Sequence, residues 1–118
     1  MAGVSSIVIH CSDPARLGPF WSLVTGIPVV DDDLRAIAAG TLAPDEAVLL
    51  RSPDGPDVWL APAGDLRPPG RVHLDVVATA EELASFLAAG ATVVAERERW
   101  TVLADPEGNE FCVLSGRH

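Results

Sequence analysis

Pro106-Glu107-Gly108-Asn109-Glu110 closely restates Pro53-Asp54-Gly55-Pro56-Asp57 from half a chain earlier. Each stretch sets proline and acids around a glycine, which is turn chemistry. Each is also flanked by strand-like runs: Ala47–Arg51 and Asp57–Ala61 around the first, Trp100–Ala104 and Glu110–Leu114 around the second. A second match precedes each hairpin. Gly26-Ile27-Pro28-Val29-Val30 corresponds to Gly90-Ala91-Thr92-Val93-Val94, and in both the glycine ends a helical pattern. In the first half Ser12-Asp13-Pro14 starts that helix, and Leu17, Phe20, Trp21 and Val24 recur at helical spacing. Pro19 falls inside it, so a kink or a late start is expected. In the second half the helix spans Ala80–Ala89, with Leu83, Phe86 and Leu87 on one face. A strand-like run precedes each helix, Val4–His10 and Arg71–Ala78.

The chain therefore reads as α+β, a single domain of two βαβββ units. They cover about residues 3–62 and 71–115, with a proline- and glycine-rich linker at about 62–70. Ile27–Val30 and Ala91–Ala95 are the expected second strands. Asp31–Gly40 is acidic at its start and has room for a short helical turn around Leu34 and Ile37, and the run Asp31, Asp32, Asp33 reads as a solvated turn.

Composition limits the function. At 118 residues the chain can bury roughly two-thirds of its unfolded surface, enough for a core without staples. Its net charge of −9 leaves no basic footprint for a phosphate backbone, which excludes nucleic acid as a partner. All eight bases are arginine, so Schiff-base chemistry and a phosphate-loop lysine are excluded. The chain has no Tyr, hence no phenolic acid or base. No apolar run is long enough for a membrane span, and no basic-then-apolar leader opens the chain. A cytoplasmic protein with Cys11 and Cys112 reduced is expected.

Three segments resemble the vicinal oxygen chelate superfamily of glyoxalases, bleomycin-resistance proteins and extradiol dioxygenases, in its glyoxalase-like branch. They are the first strand with Ser12-Asp13-Pro14 and the helix through Phe20-Trp21 to Gly26; Arg71-Val72-His73-Leu74-Asp75; and Leu103-Ala104-Asp105-Pro106-Glu107-Gly108-Asn109-Glu110-Phe111. The last is the most specific, because the turn and both its strands match. The resemblance covers nearly the whole chain, with residues 31–46 fitting loosely. It implies that each unit curls into half an open barrel and that the curved mixed sheet encloses a cleft, the strands bearing Ser6 and His73 being related by a pseudo-twofold. It also implies a homodimer.

In metal-using relatives four strand positions supply ligands. Carried onto this chain they fall at Ser6, Trp59, His73 and Cys112. Only His73 is an ordinary ligand of a catalytic divalent ion, and two usable ligands do not hold one. The expectation is a cleft without metal or other cofactor. Strand alternation puts His10 on the face of Ser6, and Glu110 on the face of Cys112. A register change would assemble His10, His73 and Glu110 into a site for zinc, iron, manganese or nickel. Asp75 lies two residues along the strand from His73, where a carboxylate can raise and orient an imidazole; His73 is then a possible general base. Trp21 is expected in the core, Trp100 in core or rim, and Trp59 in the cleft as an apolar wall with one N–H donor.

Three readings follow. The first is a binding protein holding a small, partly aromatic or amphipathic molecule against Trp59, with Ser6, His10, His73, Asp75, Glu110 and Cys112 around it. The acidic balance favours a neutral or cationic ligand. The second is an enzyme of lyase, isomerase or dioxygenase type, using His73 as base or the shifted metal set. The third is an interaction domain that keeps the fold without the site.

Overall fold

A computed structural model describes residues 6–63 and 74–114. The chain divides into two compact units, Met1–Leu66 and Arg67–His118. Most of the expected linker, and His73 with it, lies outside the described residues.

In the first unit β1 (Ser6–Cys11) runs parallel to β3 (Asp57–Pro62), and β2 (Val48–Leu50) runs antiparallel to β3, giving the order β1-β3-β2. Val58, Leu60 and Cys11 on one face are buried, as alternation requires. Helix α1 (Pro14–Thr25) covers that face, burying Leu17, Phe20, Trp21 and Val24. Trp21, expected in the core, is 2% exposed and meets Phe20 edge-on at 5.9 Å. The helix begins at Pro14, where proline fits the first turn, and ends on Gly26 at φ 75°. Pro19 is carried within it, so the expected late start does not occur.

The expected strand Ile27–Val30 is reduced to one antiparallel bridge, Val29 to Leu50. Pro28 has no N–H for a ladder, and the chain turns at once into α2 (Asp31–Ala39). The acidic stretch is thus a nine-residue helix and not a solvated turn. Its three aspartates fill the first turn, where the positive end of the helix dipole favours them. Asp33 has a further task. Leu49 accepts a hydrogen bond from Val30 N–H at 3.0 Å, and its own N–H donates to Asp33 Oδ2 at 2.9 Å. A carboxylate therefore stands where a longer strand would have offered a carbonyl.

In the second unit β4 (Asp75–Val77) runs parallel to β7 (Glu110–Leu114), and β6 (Trp100–Ala104) pairs antiparallel with β7 and with β5 (Thr92–Glu96). The order β4-β7-β6-β5 repeats β1-β3-β2 with its bridge to Val29. A bulge interrupts β5 between Val93 and Ala95. Helix α3 (Ala80–Ala88) opens with a capping box, Thr79 Oγ1 accepting from Glu82 N–H while the Glu82 carboxylate accepts from Thr79 N–H. Phe86 is buried from it and packs against Phe111 at 6.5 Å. Leu87, expected on the same face, is 38% exposed.

The β6–β7 turn is held from inside. Asp105 is 3% exposed; its Oδ1 accepts from the N–H groups of Glu107 and Asn109 at 2.8 and 2.9 Å, and its Oδ2 from the Asn109 side-chain amide at 2.8 Å. Gly108 takes φ 90°, open to glycine at little cost. This turn fixes where β7 begins, and so where Glu110 and Cys112 stand. Among the described residues no helix is long and apolar enough to cross a membrane.

Candidate functional site

The first unit places Trp59 at the centre of the sheet face away from α1. Val8 is its partner on β1 and Leu49 its partner on β2. Leu49 turns its own N–H and C=O away from β3, toward Asp33 and Val30. Leu49 and Trp59 thus form a non-hydrogen-bonded pair, the closer kind, in which facing side chains touch. The indole is half-buried between an exposed valine and a buried leucine. Ser6 and His10 share this face with Val8, paired to Asp57 and Ala61. Ser6 is half-buried and His10 exposed. Asp57 is already engaged, its Oδ1 accepting from Ser52 N–H at 2.9 Å. Strand alternation puts Ser6 and His10 on one face, and the β1–β3 register adds Trp59 to it through Val8. The neighbours Val8 and Leu49 were not foreseen; the β1–β3 and β2–β3 pairings were needed to find them.

The equivalent position in the second unit is Cys112, four residues past Gly108 as Trp59 is four past Gly55. Asp75 faces it across the parallel pair, Val102 faces it on β6, and Glu110 lies two residues along its own strand. Cys112 N–H donates to Leu74 C=O at 2.8 Å, which locks the register. Burial pushes the Cys112 thiol up from its ordinary value, and the charges of Asp75 and Glu110 push it further. The thiol therefore stays protonated at neutral pH, a poor nucleophile and a poor metal ligand. Neither cysteine is in a disulfide; Cys11 is buried and Cys112 half-buried.

Of the positions that the resemblance marks for ligands, the described ones carry a hydroxyl at Ser6 and an indole at Trp59 in the first unit and a protonated thiol at Cys112 in the second. None of the three groups is an ordinary ligand of a catalytic divalent ion. Among the described residues no three histidine, cysteine or carboxylate side chains stand close enough to hold one. The alternative trio draws His10 from the first unit, Glu110 from the second and His73 from outside the described residues. Trp100 is 40% exposed at the start of β6, a rim position.

The family model for the glyoxalase-like domain matches residues 6–114. No curated protein matches the chain. Solved structures share the fold. A glyoxalase/bleomycin resistance protein/dioxygenase family enzyme from Burkholderia phytofirmans is 17% identical, covering 97% of this chain and 98% of its own, with a TM-score of 0.70. The fosfomycin resistance protein FosX from Listeria monocytogenes is 15% identical, covering 100% and 94%, with a TM-score of 0.68. A glyoxalase/bleomycin resistance protein from Albidiferax ferrireducens is 23% identical, covering 96% and 98%, with a TM-score of 0.62.

Proposed function

This chain belongs to the glyoxalase-like domain family and with it to the vicinal oxygen chelate superfamily, and from that premise we propose that it binds a small, partly aromatic or amphipathic molecule against Trp59, without a catalytic metal ion. The observation that carries the reading is the half-buried indole at the centre of a sheet face, set between Leu49 and Val8. A ring laid on that indole gains stacking beyond area burial. Ser6 and His10 on the same face supply hydrogen-bonding groups at its edge. Asp75, Glu110 and the protonated Cys112 line the matching face of the second unit, and His73 precedes Asp75 by two residues. The net charge of −9 favours neutral and cationic ligands over anions. Structural neighbours whose names include bleomycin and fosfomycin resistance support a small molecule as the ligand class.

The second reading is an enzyme using His73 as general base, or a metal site of His10, His73 and Glu110. The observation in its favour is Asp75, a carboxylate two residues from His73 and able to orient an imidazole. We further propose that the protein is cytoplasmic and that it works as a homodimer; light scattering at micromolar concentration tests the oligomeric state.

The binding reading is tested by titrating labelled protein with 2-naphthol, 2-naphthylmethylammonium and 2-naphthoate, following the indole N–H signals by NMR. The neutral and cationic probes are expected to move Trp59 and the amides of β1 and β3. Naphthol responses confined to other residues would overturn the reading.

A further inference from the structure

The second unit carries a recess that the reading above does not use. It lies where the Arg97-Glu98-Arg99 turn, between β5 and β6, meets the start of α3, and it encloses about 180 Å³. Ala78, Leu83 and Val113 give it apolar lining, and Trp100, 40% exposed, forms one wall. Arg97 and Arg99 also line it and are exposed. Arg97 N–H donates to Trp100 C=O at 2.8 Å, which closes the turn and holds the indole beside the two guanidinium-bearing residues.

The charge is unusual for this chain. Arg97 and Arg99 are two of only eight basic residues against 17 acids. Among the described residues neither forms an ion pair, as is also true of Arg16 and Arg51, whereas Arg35 is bonded to Asp32. The acids that face the recess are few. Glu98 belongs to the same turn, which leaves that turn with one net positive charge, and exposed Glu96 precedes it, paired across the strands with Thr101 of the lining. On α3, Glu82 is committed to Thr79 N–H, and Glu81 is exposed in the first turn.

The geometry points to a subsite for a small aromatic anion: one ring bearing a carboxylate, the ring against Trp100 and the apolar lining, the carboxylate on Arg97 and Arg99. A guanidinium presents a planar fork that matches a carboxylate. The recess is smaller than the roughly 300–1,000 Å³ of a drug-sized site, so a single ring is what it fits. The net charge of −9 disfavours anions over the protein as a whole, so retention here rests on the two guanidinium groups and the Trp100 wall together. The subsite is independent of Trp59.

Benzoate, its neutral isostere benzamide, and acetate test it by NMR titration of the full chain, the three indole signals being assigned with Trp→Phe variants. Benzoate is expected to shift Trp100 and the amides of residues 97–101 with a Kd on the order of 1 mM. Benzamide and acetate should each bind about fivefold more weakly or worse, since each lacks one of the two contacts. The double variant R97A/R99A should lose about fivefold or more for benzoate. Because both side chains are exposed, its spectrum elsewhere should superimpose on the wild type. Equal affinity for benzoate and benzamide, an unchanged Kd in R97A/R99A, or no shift at Trp100 would overturn the proposal. A benzoate response at Trp59 alone would overturn it too, while leaving the Trp59 reading standing.

Discussion

Gly18 sits in the middle of α1, and replacing it with alanine sets two effects of opposite sign against each other. In an open helix the change stabilises by about 1 kcal/mol through backbone entropy. Here a Cβ built on Gly18 would lie 2.5 Å from Val48 Cγ1 and 3.2 Å from Val48 Cβ. Carbon atoms pack at about 3.5–4.0 Å, so helix or strand must yield by roughly 1 Å. Val48 has no room to give. It is fully buried, is β-branched and stiff at χ1, and pairs with Leu60 in β3. The next residue is tied on its outer side by Asp33 and Val30. Overpacking of this kind costs about 1–3 kcal/mol, and so close a contact belongs at the upper end. The net expectation is a loss of about 2 kcal/mol. At a urea slope of about 2 kcal/mol/M the midpoint falls by about 1 M. The double variant G18A/V48A should be more stable than the sum of the single changes predicts, because the new methyl enters the space the valine leaves. A Gly18→Ala protein more stable than wild type would refute the close seating of α1 on β2.

Asp33→Ala removes the acceptor for the N–H of buried Leu49, and urea denaturation should show a loss of about 1–3 kcal/mol; a change within about 0.3 kcal/mol would contradict the strand-capping role. The Cys112 thiol should alkylate with iodoacetamide at a pH midpoint above that of an ordinary thiol, and Asp75→Asn should lower that midpoint only in part, since burial is the first cause of the shift. The same shift leaves stability untouched at neutral pH, where folded and unfolded thiols are both protonated. Stability declines only as pH rises past the ordinary thiol range, where the unfolded chain ionises first; a midpoint at or below the ordinary value would contradict both statements. Protein purified without chelator or metal-affinity tag should carry no stoichiometric zinc, iron, manganese or nickel, and elemental analysis near one ion per chain would redirect attention to His10, His73 and Glu110.

What could be read from the sequence is what local chemistry fixes. Asp105-Pro106-Glu107-Gly108-Asn109 encodes its turn within itself, through the Asp105 carboxylate and Gly108, and the strands on either side have the expected ends, Trp100–Ala104 and Glu110–Leu114. Pro14 and Gly26 likewise mark α1 without help from elsewhere. The bridge at Val29 and helix α2 escaped because Val and Ile favour a strand locally, whereas Pro28 and the docking of Asp33 on Leu49 decide the outcome. The resemblance pointed to Trp59 and Cys112, and the equal count past Gly55 and Gly108 supports their being equivalent positions of the two units, because a strand has a fixed period past a fixed turn. Their cross-strand neighbours Val8 and Asp75 required the parallel register. The recess beside Trp100 was invisible, since Arg97 and Leu83 meet only in the folded chain.

If Trp59 is the floor of a site for a small aromatic molecule, calorimetric titration of wild type and Trp59→Ala with 2-naphthol will separate the two proteins. Stacking worth about 0.5–1.5 kcal/mol predicts that the variant binds about two- to twelvefold more weakly. Equal affinity of the two proteins, with the variant's fold intact by NMR, would contradict it.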